Sequence, residues 1–272
     1  MRTARLAVVT GVALAIVAFG SPARAAAPEQ LRPLDVTVDG VARTALIYVP
    51  PAPTDRPLPL VFAFHGHGGT SRQAARVFRL DHLWPAAISV YPQGLDTPGV
   101  LTDADGARPG WQHAIGVEGD RDLHFFDLLL AQLKHDHPVD PKRVYCTGHS
   151  NGGGFTYVLW QARPDVFAAL APCSAAAGFA ARLTPKPAMI CGGLNDPIVN
   201  FAWQQRTIDA VRRVDGCEPT GVPWEGAGVL FASERGTPLV TYTYPGGHPM
   251  DSAEPGLIVK FFQQHPGPTT RP

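Results

Sequence analysis

The chain has 272 residues, 45% of them hydrophobic and 17% charged, and its 23 basic side chains balance 23 acidic ones. That length and apolar content suit one large α/β domain with a substantial core. No basic block or stripe breaks the balance, which argues against nucleic acid or an anionic membrane surface as a partner.

In chain order the first feature is a leader-like N-terminus. Arg2 and Arg5 precede an apolar run from Leu6 to Phe19, and Ala23-Arg24-Ala25 forms a small-x-small site before Ala26. This pattern predicts a cleavable secretory signal over residues 1–25 and an extracellular or periplasmic destination. The run is shorter than the roughly 20 apolar residues of a bilayer span, so no membrane insertion is expected after cleavage. Cleavage removes Arg2, Arg5 and Arg24 but no acid, leaving 20 basic against 23 acidic side chains. Residues 26–265 are expected to form a single domain, and 266–272 a short flexible tail.

Leu34 to Val38 and Thr44 to Val49 alternate around Asp39-Gly40 and read as an opening hairpin. A proline-rich loop from Pro50 to Pro59 follows. Leu60 to Phe64 and Ala87 to Tyr91 are short continuous apolar runs on either side of a helix-compatible segment, Ser71 to Leu83, the spacing of buried parallel strands with a crossover helix. Asp120 is placed to cap a helix whose apolar face is Leu123, Phe126, Leu129, Leu130 and Leu133, and Pro138 ends it. Strands are expected at Val144 to Thr147, Phe167 to Cys173, Ala188 to Cys191 and Leu239 to Tyr244, with helices from about Phe201 to Val214 and near Pro255 to His265. The alternation predicts a doubly wound, mostly parallel sheet with flanking helices. Of the four cysteines, Cys146, Cys173 and Cys191 fall in apolar runs and read as small core residues. Cys217, in the turn-like Asp215-Gly216-Cys217-Glu218, is the one expected to be exposed or paired; four thiols allow three complete pairings.

Gly148-His149-Ser150-Asn151-Gly152 follows a strand-like run and opens a helix-compatible segment, the layout of a nucleophile elbow. Glycines two positions either side give a strained turn the room it needs. Ser150 is therefore the candidate nucleophile. A serine hydroxyl needs a base to take its proton and a third group to orient that base. Asp196, in Asn195-Asp196-Pro197, lies just beyond the strand ending at Cys191, and His248, in Gly246-Gly247-His248-Pro249, just beyond the last strand. The order Ser, Asp, His with each residue past a strand end is the one that open α/β sheets use for this chemistry. Two backbone N–H groups are needed to hold the developing oxyanion. The N–H of Asn151 is one candidate, and the N–H of His67, in Phe64-His65-Gly66-His67-Gly68-Gly69, is the other. His65 and His67 also form an H-x-H pair, but no third ligand follows within the next few positions, so no metal site and no cofactor are expected. Among aromatics placed after strands, Trp111, Trp203 and Trp224, Trp111 is the chosen candidate for gripping substrate.

Together these motifs resemble the secreted serine esterases of the polyhydroxybutyrate depolymerase and feruloyl esterase type. The resemblance rests on Phe64 to Gly69, on Trp111 with the Asp120-to-Phe126 helix start, on Val139 to Gly153, on Asn195 to Val199 and on Gly246-Gly247-His248. It implies an α/β-hydrolase fold, with Ser150 as nucleophile, His248 as general base and acid, and Asp196 as the orienting carboxylate. The family often has cysteine where this chain has His67. It also often pairs a cysteine equivalent to Cys217 with one before the last strand, where this chain has Ser233 and its neighbours. The expected activity is hydrolysis of small-molecule or polymer-linked esters through an acyl-enzyme, with feruloyl, acetyl or short hydroxyalkanoate esters as the substrate classes. An acyltransferase or serine peptidase on the same fold is the alternative within enzymes, and a non-catalytic secreted carbohydrate-binding protein the alternative outside them.

Overall fold

The structure, a computed structural model, describes residues 31–51 and 56–267. The expected signal segment 1–25 lies outside the described residues, as do positions 268–272 of the expected tail. Gly267, at the start of that tail, donates its N–H to the Lys142 carbonyl at 2.7 Å.

The chain opens with the hairpin of β1 (Arg32–Val38) and β2 (Val41–Tyr48). Its turn residues Asp39 and Gly40 both take positive φ, 49° and 82°, the conformation that an Asp-Gly hairpin turn supplies at low steric cost. The elements that follow are β3 (Leu58–Phe64), α1 (Ser71–Phe78), α2 (Leu80–Leu83), β4 (Ile88–Pro92), β5 (Leu95–Asp96), β6 (Pro109–Gly110) and α3 (Arg121–Asp136). Next come β7 (Val139–His149), α4 (Asn151–Ala162), β8 (Ala169–Cys173), β9 (Ala188–Gly193) and α5 (Phe201–Asp215). The chain closes with β10 (Val222–Pro223), β11 (Gly228–Phe231), β12 (Leu239–Tyr244) and α6 (Glu254–Gln264).

The strands other than β5 and β6 form one sheet in the order β1-β2-β4-β3-β7-β8-β9-β12-β11-β10. Its centre, from β4 to β12, is parallel, with antiparallel pairs at both edges. Strands β3, β4, β8 and β9 are buried along their whole length because helices cover both faces. One core lies between the sheet and α3, α4 and α5, where Leu129, Phe155, Trp160 and Val211 are buried. The opposite core gathers Phe78, Leu80, Ile258 and Phe261 from α1, α2 and α6. The strand order reverses beside β3, so the loops after β3 and β7 meet at the crevice where open parallel sheets bind ligands.

Three local expectations need correcting. The segment Ser71 to Leu83 is two helices, because Arg79 adopts a left-handed conformation (φ 49°) and breaks the register; Thr70 caps the first of them. Asp120 does not cap α3. It sits at φ 58° with its carboxylate turned back onto the Gly116 N–H and Gln112 Nε2, both at 2.7 Å. The first N–H groups of α3 are instead met by Gln112 Oε1, which accepts from Asp122 and Leu123. The edge strands β10 and β11 and the β5–β6 ribbon were not expected, being short and rich in Pro and Gly. All four cysteines are free, with Cys146, Cys173 and Cys191 buried and Cys217 half-buried. Cys217 faces Ser233 across an isolated antiparallel bridge, so a hydroxyl stands where a partner thiol would be. Among the described residues no helix is long and apolar enough to cross a membrane.

Candidate active site

The elbow forms because β7 must turn into α4 within one residue. Ser150 takes φ 57° and ψ −120°, a conformation costing on the order of 1–3 kcal/mol for a residue with a side chain. A Cβ on Gly148 would overlap the Gly152 carbonyl, and one on Gly152 would overlap that of Phe64. The Ser150 N–H donates to the Cys173 carbonyl at 2.9 Å, and its C=O accepts from the Gly154 N–H at 2.8 Å, so the turn is pinned to β8 and to α4.

His248 lies in the loop after β12, with Nε2 2.7 Å from Ser150 Oγ and Nδ1 2.8 Å from Asp196 Oδ2. An ionised carboxylate only accepts, so Nδ1 carries the proton and Nε2 presents its lone pair to the serine. Asp196 is 5% exposed. Its Oδ1 accepts the Ile198 and Val199 N–H groups at 2.8 and 2.9 Å, and its Oδ2 also accepts Gln204 Nε2 at 3.2 Å. The loops after β9 and β12 are tied together by Leu194 N–H to Tyr244 O and Asn195 N–H to Gly246 O, each at 2.9 Å. Three residues separated by 98 and 52 positions thus form one continuous hydrogen-bonded chain.

Two contributors to this arrangement were missed in the sequence. His149 donates Nε2–H to the His248 carbonyl at 2.8 Å and packs its ring 4.8 Å from that of His248. Burial pushes its pKa down to about 4, so it is a neutral donor at ordinary pH. Gln204, one turn into α5, bonds both Asp196 and the Val199 carbonyl. Neither has a sequence signal, since each matters only through a partner brought close by folding.

His67 and Asn151 both line the cavity beside Ser150, and among the described residues neither backbone N–H has an acceptor. As the first residue of α4, Asn151 has an N–H with no partner inside the helix. Its side chain clamps Trp111, with Oδ1 accepting the Trp111 N–H at 2.7 Å and Nδ2 donating to its carbonyl at 3.0 Å. The two rings of the H-x-H pair have different surroundings. His65 is buried, its pKa lowered by burial to about 4, and it donates Nδ1–H to Gly66 O and accepts the Gly94 N–H. His67 donates Nε2–H to Asp103 at 2.9 Å, a bond that holds the Asp103 carboxyl below the usual carboxylate range.

Trp111 is not at the substrate mouth. It is fully buried, with its ring 5.0 Å from Phe64 and 5.4 Å from Phe155 and its Nε1–H donated to the His65 carbonyl. A large indole following β6 is drawn into the core, where its area is removed from water and its one donor is met. The exposed aromatic on the cavity is Trp203, at 41% exposure. The cavity holds about 540 Å³ above Ser150, with Val100, Leu101, Phe179, Ile198 and Val199 in its walls. The loops Gly94 to Gln112 and Ala175 to Lys186 both contribute to it.

No protein-family model matches the chain. It is 27% identical over 201 residues to feruloyl esterase C of Emericella nidulans, covering 71% of each chain. An 87-residue stretch, 31% of this chain, is 34% identical to a bifunctional acetylxylan esterase/xylanase of Neocallimastix patriciarum, of which it spans 13%. A poly(3-hydroxyalkanoate) depolymerase of Paucimonas lemoignei is 29% identical over 163 residues, 45% of this chain and 39% of the relative. In fold, the chain superposes on the acetyl xylan esterase of Aspergillus awamori with a TM-score of 0.63 at 15% identity, covering 85% of this chain and 99% of the other. The fold is that of the α/β-hydrolases, and the chain is a carboxylic ester hydrolase of that class. The relatives support a serine esterase on that fold, similar to feruloyl esterases and to a poly(3-hydroxyalkanoate) depolymerase, and they do not favour the peptidase, acyltransferase or non-catalytic alternatives.

Proposed function

We propose that Ser150, His248 and Asp196 hydrolyse polysaccharide-linked feruloyl or acetyl esters, or short hydroxyalkanoate esters, through an acyl-enzyme. The observation that carries this reading is the unbroken run from Asp196 through His248 to Ser150 at the base of an apolar-walled cavity. As Ser150 Oγ attacks the ester carbonyl, its proton passes to His248 Nε2, and Asp196 stabilises the imidazolium without itself taking the proton. The N–H groups of His67 and Asn151 receive the oxyanion. The C–O bond to the alcohol breaks, and the alcohol leaves with the proton from His248. Water then attacks the acyl group and gives its proton to the same nitrogen, and Ser150 is released protonated as the acid departs.

Export is part of the proposal and rests on the leader-like residues 1–25; N-terminal sequencing of protein recovered from the medium or periplasm should begin at Ala26. The reaction is tested with an active-site serine phosphonate followed by a panel of methyl ferulate, acetylated xylan, short hydroxybutyrate oligomers and aryl acetates. Stoichiometric labelling of Ser150 and turnover of at least one ester class is the expected result. An unlabelled Ser150 in folded protein would reject the mechanism.

A further inference from the structure

A second cavity adjoins the one above Ser150 at Trp203: a surface groove of about 400 Å³ that shares Ala176, Ala177, Gly178 and Trp203 with it. An apolar ring exposed at the junction offers a face on which a sugar or aryl ring can stack. Each part carries one guanidinium: Arg182 in the wall of the first, beside Phe179, and Arg206 of α5 in the second. Both side chains are exposed. Among the described residues no acid lines either cavity. Asp209, one turn from Arg206 on α5, accepts from Gln205 Nε2 at 3.0 Å, and Asp103 is engaged by His67 and Arg108. Two like charges thus border the same Ala176-to-Gly178 wall, and among the described residues neither is in an ion pair. Such an arrangement raises the local concentration of an anion and gives a planar carboxylate a fork to bind.

We infer that the groove beyond Trp203 takes the alcohol part of an ester that carries a carboxylate, with Arg206 and Arg182 as the residues that select it. The inference rests on the esterase reading of Ser150, because the carboxylate is placed relative to a bond broken there. A carboxylate in this position can come from the free terminus of a hydroxyalkanoate oligomer or from a uronic acid in an esterified polysaccharide.

The experiment compares kcat/KM for matched pairs that differ only in charge. One pair is a 3-hydroxybutyrate dimer with a free terminal carboxylate and its terminal N-methylamide; the other is a feruloylated disaccharide with a uronic acid and its neutral hexose counterpart. The wild-type enzyme should favour the charged member of at least one pair by about tenfold, the scale of one partly solvated charge-assisted contact. The pair that shows the preference identifies the source of the carboxylate. That ratio should collapse towards one in Arg206→Gln and Arg182→Gln and be partly restored in Arg206→Lys. Because the ratio is taken within each variant, loss of folded protein does not imitate the result. A ratio near one for both pairs in the wild type, or a ratio unmoved by either Gln variant, overturns the inference while leaving the esterase reading standing. No turnover of any ester, with Ser150 unlabelled by the phosphonate, removes both.

Discussion

The floor of the site and its walls are held by different means. At the floor, Ser150, Asp196 and His248 project from the ends of β7, β9 and β12, and their positions follow from backbone hydrogen bonds and from strand spacing in the sheet. The wall formed by Gly94 to Gln112 has only the two-residue ribbon β5–β6 of its own. It is tied down by side chains: Asn151 to Trp111, His67 to Asp103, and Gln112 to Asp122, which in turn pairs with the buried Arg43 at 2.8 Å. Burial lowers the Arg43 pKa, and Asp122 counteracts this. A scaffold of strands can keep its chemistry while its walls vary, because each wall tether can be exchanged without disturbing the sheet.

This contrast is open to attack by substitution. The largest effect is expected at the floor. Ser150→Ala should lower turnover of a simple aryl ester by several powers of ten, about 1,000-fold or more, with the melting temperature little changed. Near-normal turnover in the purified variant would show that the nucleophile lies elsewhere.

His149→Phe tests whether the floor needs more than Ser150, His248 and Asp196. Losing the bond to the His248 carbonyl should cost up to ~100-fold in kcat with KM little altered, the signature of a displaced catalytic group. A matching rise in KM would point to a disturbed pocket instead. The same variant carries a pH prediction. His149 has its folded pKa depressed to about 4 from 6.5, so between these values the unfolded chain binds the proton and the folded chain does not. Wild-type stability should therefore fall as pH drops through this window, by up to about 3 kcal/mol for this ring. His65, depressed to about 4 as well, adds a fall of the same sign. Denaturant titrations at pH 7 and pH 4.5 should show a smaller fall in His149→Phe than in the wild type.

The smallest effect is expected at the wall. Trp203→Ala removes an exposed ring and should raise KM for a feruloylated sugar about three- to tenfold, with methyl ferulate affected less and kcat nearly unchanged. Equal losses on both esters would mean that the indole shapes the cavity rather than contacting the sugar.

Much of the floor was legible in the sequence because its requirements are local. Gly148 and Gly152 mark a turn that side chains would block, and continuous apolar runs before Ser150, Asp196 and His248 mark buried strands that end at the binding edge. The wall was less legible. Asp120 precedes a helix and looks like its cap, but Gln112, brought back by the loop, takes that role. Trp111 and Trp203 are equivalent by local context, and only packing distinguishes them, the first being sealed against Phe64 and Phe155 and the second left at the cavity rim.

By itself the sequence determined the alternation of strands and helices, the parallel sheet that follows from it, and the order of serine, aspartate and histidine. These depend on apolar periodicity and on glycine at strained turns, both encoded within a few residues. The tertiary structure alone decided which histidine supports His248, which tryptophan meets the cavity, what caps α3, and that Arg182 and Arg206 line adjoining cavities. Each of these depends on separate elements being brought together. Distances between such residues are set by how helices and loops pack on the sheet, and no local pattern records them.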